Sequence, residues 1–252
     1  MSVSSSSTLM LSVVLIVMFQ MIDGTCKTRE SGIAKNCAEL YKCGQTISDV
    51  YTIDPDGSGA FNVYCDQTTA DGGWTVIQKR VDGTVDFNRT WNDYKKGFGN
   101  FLIREFWLGL DKIQRLTQNK RENKLRVDLG VTDDKTVYAE YEWFGIENET
   151  ADYKLHIGKF SSATVKDSLS IHNGMLFGTW DRLPADRDCA LRLGGGWWYL
   201  YFDKYCTVSS NLNGIYPHRG SNSRIHWANL NSEAKNNNPR SAEMKIRPVD
   251  FF

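Results

Sequence analysis

Residues 72–80, Gly-Gly-Trp-Thr-Val-Ile-Gln-Lys-Arg, place a short strand from Trp74 to Arg80 directly behind a turn. The same alternation of run and turn is found upstream. Val50 to Ile53 and Phe61 to Cys65 are strand-like and flank Asp54-Pro-Asp-Gly-Ser-Gly59. That segment superficially resembles the start of an EF-hand loop. Its twelfth position is Cys65, however, where a bidentate Glu belongs, and strands flank it instead of helices, so it reads as a turn. Downstream lie helical patches at Trp91 to Phe98 and Leu110 to Thr117, the second with Leu110, Ile113 and Leu116 on one face. Three strand-like stretches follow: Lys124 to Val131, Thr136 to Ile146 and Lys154 to Phe160. In the middle one Val137, Ala139, Tyr141 and Trp143 alternate with Tyr138, Glu140 and Glu142, the period of a half-buried antiparallel strand. Strands without regular βαβ alternation predict an α+β fold with an antiparallel sheet. From Asn211 to Asn238 eight Asn residues sit among Gly and Ser with little periodicity. A long irregular stretch inside an ordered domain carries a site.

The 252 residues hold 30 Lys+Arg and 30 Asp+Glu, with 41% hydrophobic and 24% charged residues. This is globular composition, which excludes disordered and collagen-like chains. Balanced charge provides no field for nucleic acid or an anionic membrane. Leu9 to Ile22 is an uncharged, largely apolar run, too short to span a bilayer, and it ends at Asp23-Gly24-Thr25. Although Met1 to Thr8 contains no Lys or Arg, the run is expected to be a secretory signal peptide covering residues 1–24. No second apolar run of membrane length follows, so the expected product is secreted and extracellular. In an oxidising compartment Cys26, Cys37, Cys43, Cys65, Cys189 and Cys206 should pair, and spacing alone leaves every connectivity open. Asn88-Arg-Thr90 and Asn148-Glu-Thr150 are glycosylation sequons at Asn88 and Asn148. No G-x-S-x-G, H-E-x-x-H, P-loop or dinucleotide fingerprint is present, and His172 reads as structural, so no enzyme is expected.

Together these motifs resemble the fibrinogen C-terminal-like, or fibrinogen-related, domain family. The resemblance is carried by Tyr64-Cys-Asp66 with residues 72–80, Gly97-Phe-Gly-Asn100, Glu105-Phe-Trp-Leu-Gly109 and Ser168-Leu-Ser-Ile-His-Asn-Gly174. It continues through Gly196-Trp-Trp-Tyr199, Ser210-Asn-Leu-Asn-Gly-Ile-Tyr216 and Glu243-Met-Lys-Ile-Arg-Pro248. Behind a short polar leader at 25–35, it implies one domain at 36–250, with a twisted antiparallel central sheet, flanking helices and a loop-rich C-terminal subdomain holding the calcium and ligand sites. It also implies the disulfides Cys37–Cys65 and Cys189–Cys206. Cys26 and Cys43 then either pair with each other, or Cys26 bridges a homo-oligomer.

Two departures from the family pattern bear on function. The family holds calcium in an acidic D-x-D-x-D loop before the last disulfide. Here that stretch is Trp180-Asp-Arg-Leu-Pro-Ala-Asp-Arg-Asp-Cys189, with Leu183 and Ala185 at the main carboxylate positions. Only Asp181, Asp186 and Asp188 remain to offer oxygen to calcium, which needs six to eight hard donors. The family's lectins, ficolins and tachylectins, use aromatics beside the second disulfide and a Cys-His step, whereas Cys206 is followed by Thr207. A replacement site would draw on Tyr201, Phe202, Tyr205, Thr207, Asn213, His226 and Trp227. The expectation is a lectin-like recognition protein of innate immunity, binding extracellular glycans through these loops. The alternative is an angiopoietin-like or fibrinogen-like ligand for cell-surface proteins.

Overall fold

A computed structural model describes residues 32–102, 105–182, 184, 188–200, 206, 208–216, 225–230 and 238–251. Its first elements are helix α1 (Cys37–Lys42) and strands β1 (Asp49–Ile53), β2 (Phe61–Asp66) and β3 (Trp74–Arg80). The turn between β1 and β2 is built by its own acids. Asp54 Oδ1 accepts from Gly57 N–H and Asp56 Oδ1 from Ser58 N–H, while Arg115 clamps both carboxylates and Gly59 O. The Arg115 hydrogen bond holds the Asp56 carboxyl down at about 2.

Helix α2 (Trp91–Lys96) starts in a capping box between Thr90 and Asp93. It stops before the expected Phe98 because Gly97, at φ 96°, turns the chain into strand β4 (Phe98–Asn100). Strands β5 (Glu105–Trp107) and β6 (Asn123–Gly130) flank helix α3 (Leu110–Leu116), which buries Leu110 and Ile113. The single strand expected from Thr136 to Ile146 is two, β7 (Thr136–Tyr141) and β8 (Phe144–Ile146). The chain leaves the large sheet at Glu142-Trp143 to form a separate hairpin with β9 (Leu155–Ile157). The alternation holds within β7, where Val137, Ala139 and Tyr141 are buried, but Trp143 lies outside it and is only half-buried. Strand β10 (Phe160–Ala163) returns to pair with β7.

The last strand, β13 (Ser241–Pro248), occupies the middle of the large antiparallel sheet, whose order is β1-β2-β3-β13-β6-β7-β10 with β5 also on β3. Its alternate residues explain the Glu243–Pro248 motif. Met244 and Ile246 enter the core, while the buried Lys245 Nζ reaches Asp66 at 2.6 Å, Asp128 at 2.8 Å and Glu243 at 2.8 Å. Burial opposes the ammonium charge, yet the three carboxylates raise the Lys245 pKa above its ordinary value. Arg247 donates to Ala70 O and Gly72 O and lies over the Trp74 ring. Beyond the sheet, helix α4 (Cys189–Leu193) and the small pair β11 (Ser210–Asn211) with β12 (His226–Trp227) form the C-terminal part. The disulfides Cys37–Cys65 and Cys189–Cys206 are formed, as the resemblance implied. Cys43 is also disulfide-bonded, and Cys26 lies outside the described residues.

Candidate functional site

The C-terminal loops rest on a polar frame that begins in β3. Gln78 Nε2 donates to Leu212 O at 2.9 Å and to Asn213 Oδ1 at 3.2 Å. Arg80 Nη1 donates to Leu212 O and Gly214 O, and its Nε donates to Glu105 Oε1 at 3.1 Å. Both members of this ion pair are buried, and the guanidinium lies 3.9 Å from the Phe87 ring centroid. Glu105 spends its remaining acceptor capacity on Gly83 N–H, Val85 N–H and Thr84 Oγ1–H. One carboxylate thus fixes both the 81–85 turn and the arginine that grips residues 212–214. A buried pair without such saturation would be costly.

A second set of bonds closes the frame from the other side. Asn213 Nδ2 donates to Gly196 O, Asn211 Nδ2 to Gly194 O, and Tyr199 OH to Gly195 O. Gly195, at φ 73°, cannot be replaced, since a Cβ there would sit 2.1 Å from Asn213 O. His172 joins the Trp198 and Ser210 segments. A carbonyl can only accept and an amide N–H only donate, so Nδ1 donates to Trp198 O at 2.7 Å and Nε2 accepts from Ser210 N–H at 3.1 Å. Burial pushes the His172 pKa down to about 4, so the ring is neutral and structural, in line with the sequence reading. Beneath the frame Tyr94, Trp107, Phe177, Trp197 and Trp198 form edge-to-face and tilted ring pairs.

This geometry reassigns two expected ligand residues. Asn213 and Trp227 are fully buried; the amide completes the frame and the indole Nε1 donates to Lys166 O at 2.9 Å. Both hold loops in place and present nothing to a ligand. His226 is half-buried, with its pKa lowered by burial against a hydrogen bond to Asn238. Tyr201, Phe202, Tyr205 and Thr207 lie outside the described residues.

Asp181 and Asp188, the described calcium candidates, are each engaged within the protein. Asp181 Oδ1 accepts from Trp91 N–H at 2.9 Å and Thr179 Oγ1–H at 2.7 Å, so it tethers the start of α2. Asp188 pairs with Arg192 at 2.8 Å, and Asp186 lies outside the described residues. Among the described residues no group of three or more His, Cys, Asp or Glu converges. The neighbouring cation belongs to the protein: Arg182 lies 3.9 Å from the Trp91 ring centroid and bonds Asp152 at 2.5 Å. Asn88 and Asn148 are exposed at the mouths of loops. Sequence reasoning missed Gln78, Arg80 and Glu105. Their one available signal was charge and amide at the end of an otherwise apolar strand, and a lone Glu ahead of Phe-Trp-Leu.

The family model for the fibrinogen beta and gamma chains' C-terminal globular domain matches residues 33–249. The chain belongs to this family. Human fibroleukin is 42% identical over 238 residues, an overlap covering 87% of this chain and 52% of fibroleukin. The chain therefore spans about half the length of that relative. The fibrinogen-like globe domain of human ANGPTL6 superposes with a TM-score of 0.76 at 36% identity, covering 88% of this chain and 99% of the domain. Lamprey fibrin D-dimer, complexed with the peptide ligand Gly-His-Arg-Pro-amide, gives 0.74 at 28% identity, covering 96% of this chain and 84% of its own.

Proposed function

We propose that the fibrinogen-type domain is a secreted, non-catalytic recognition module that binds an extracellular polypeptide through its C-terminal loops. The observation that carries this reading is the frame of Gln78, Arg80 and Glu105, which anchors residues 212–214 to the central sheet. Loops held on a rigid sheet are preorganised, so little ordering entropy is lost when a partner docks. The peptide ligand held by the lamprey relative supports a polypeptide partner over a glycan. The disulfides Cys37–Cys65 and Cys189–Cys206 support an oxidising, extracellular setting. Among the described residues no helix is long and apolar enough to cross a membrane. Glycosylation at the exposed Asn88 and Asn148 fits the same setting.

Glycan recognition remains the second reading, since the exposed Asn229 at the loop margin, its amide nitrogen held by Asp167 O and Ser168 Oγ, turns its carbonyl oxygen to a fixed position. The two readings separate when the secreted product is screened in parallel on a displayed peptide library and on a glycan array, with and without EDTA. Saturable peptide binding that is insensitive to EDTA is expected. Binding to acetylated sugars with no peptide signal would transfer the site to the glycan reading, and no binding in either screen would sink the recognition proposal.

A further inference from the structure

Away from the C-terminal loops, a shallow groove of about 520 Å³ runs along the β8–β9 hairpin, beside the point where the chain leaves the large sheet. Its floor is Trp143, half-buried and set across from Gly158, whose N–H donates to Trp143 O at 2.8 Å. No larger residue fits opposite the indole, because a Cβ on Gly158 would stand 2.6 Å from Trp143 Cδ1. Arg121 and Lys159 form its rim, both exposed. Neither cation makes an ion pair with a described residue. The Arg121 guanidinium stands 5.6 Å from the Trp143 centroid, against 3.9 Å where Arg182 stacks on Trp91. It therefore sits over the indole, more loosely than Arg182 sits over Trp91, and leaves its N–H donors facing outward for a ligand. Asn173 accepts from Ile157 N–H through Oδ1, leaving its amide hydrogens unused. Glu142 contributes the single carboxylate of the lining.

We propose that this groove is a second binding site, for an anionic saccharide. The chemistry of the lining selects that class. A sugar ring needs an apolar platform with donors around it, which the indole, its N–H and Asn173 supply. The two unpaired cations bracketing the platform call for sulfate or carboxylate on the sugar, which Arg binds bidentately and Lys as a point charge. The groove's size falls in the range of ordinary ligand sites. The site is independent of the polypeptide reading of the C-terminal loops, as it shares no residue with the frame described above.

The test uses the full secreted chain with three probes: a sulfated uronate–glucosamine hexasaccharide, its desulfated form and neutral maltohexaose, each titrated calorimetrically. Binding is expected in the order sulfated, desulfated, neutral, and is expected to weaken on raising salt to about 0.5 M. The double variant Arg121→Ala/Lys159→Ala should weaken the sulfated probe roughly tenfold, two exposed contacts each contributing a few-fold. Glu142→Gln should tighten it by about two-fold, an effect opposite in sign that a misfolded variant would not give. Trp143→Ala should lower affinity for the sulfated and desulfated probes alike. An equal preference for the neutral sugar overturns the proposal. So does unchanged affinity in the Arg121/Lys159 variant, or a loss seen instead on substituting Lys35 and Lys42, which line a separate groove beside α1. A polypeptide ligand of the C-terminal loops should bind all these variants as it binds the parent, so the two proposals fail separately.

Discussion

Mild acid should weaken this fold through one buried imidazole. Both ring nitrogens of His172 are used by a neutral ring, one donating to Trp198 O and the other accepting from Ser210 N–H. Burial pushes its pKa down to about 4 from 6.5. The unfolded chain therefore binds a proton on passing below its ordinary value, while the folded chain does not until the lower one. Stability from this residue is fully present above about pH 6.5 and declines as pH falls toward 4, by up to about 3 kcal/mol in all. The perturbation is His172→Gln, which keeps one donor and one acceptor but cannot titrate. Urea unfolding, with the disulfides intact, would be followed in steps from about pH 7 to 4.5. The parent should lose about 1.4 kcal/mol per pH unit more than the variant once below the ordinary histidine range. His226, also lowered by burial, acts in the same direction but is present in both proteins and cancels. Asp66 and Asp167, held below the usual carboxylate range, contribute mainly at lower pH. Parallel stability curves for parent and variant would refute the reasoning, because the two bonds would then not be holding a neutral ring.

Two further outcomes follow from the frame and the acidic loop. Glu105→Ala leaves the Arg80 guanidinium buried without its partner, which costs about 3–5 kcal/mol. At about 2–4 °C per kcal/mol for a domain of this size, calorimetry should show Tm falling by roughly 6–20 °C. A fall worth less than about 1 kcal/mol would mean the pair is not structurally important. Adding about 10 mM calcium should leave Tm unchanged, whereas a site with Kd of about 0.1 mM would add about 2.7 kcal/mol of stability.

Much of the fold could be read from residue order because its signals are local. Trp74–Arg80 is a strand with the bounds that its apolar run and flanking turn set, and the alternation from Val137 to Tyr141 matches the buried face of β7. Errors occurred where a long-range event intervenes in a locally consistent pattern. The strand expected to reach Ile146 breaks at Glu142-Trp143 because the chain changes sheets there, and periodicity carries no record of which sheet a residue joins. The site was less legible for a related reason. Polar residues in an irregular stretch suit a ligand and suit a loop's own carbonyls equally well. Asn213 and Trp227 serve the second purpose, and only the carbonyl of Gly196 and that of Lys166, far away in sequence, reveal it. The frame residues escaped notice because Arg80 and Glu105 look like ordinary surface charges until the 25-residue gap between them closes.

The position of β13 governs how this protein is made. Of the described strands, the one latest in sequence is inserted between β3 and β6, pairing with β6 along all of 241–248 and with β3 over 242–246. Until residues 241–248 leave the ribosome, the sheet can exist only as two separate halves, each with a bare edge at what will become the centre. Completion is then a single late closure across large sequence distances, slow by nature and exposed to aggregation while it waits. A nascent chain that stalls or is clipped before Ser241 lacks the strand that joins the two halves of the sheet and should not reach the native fold.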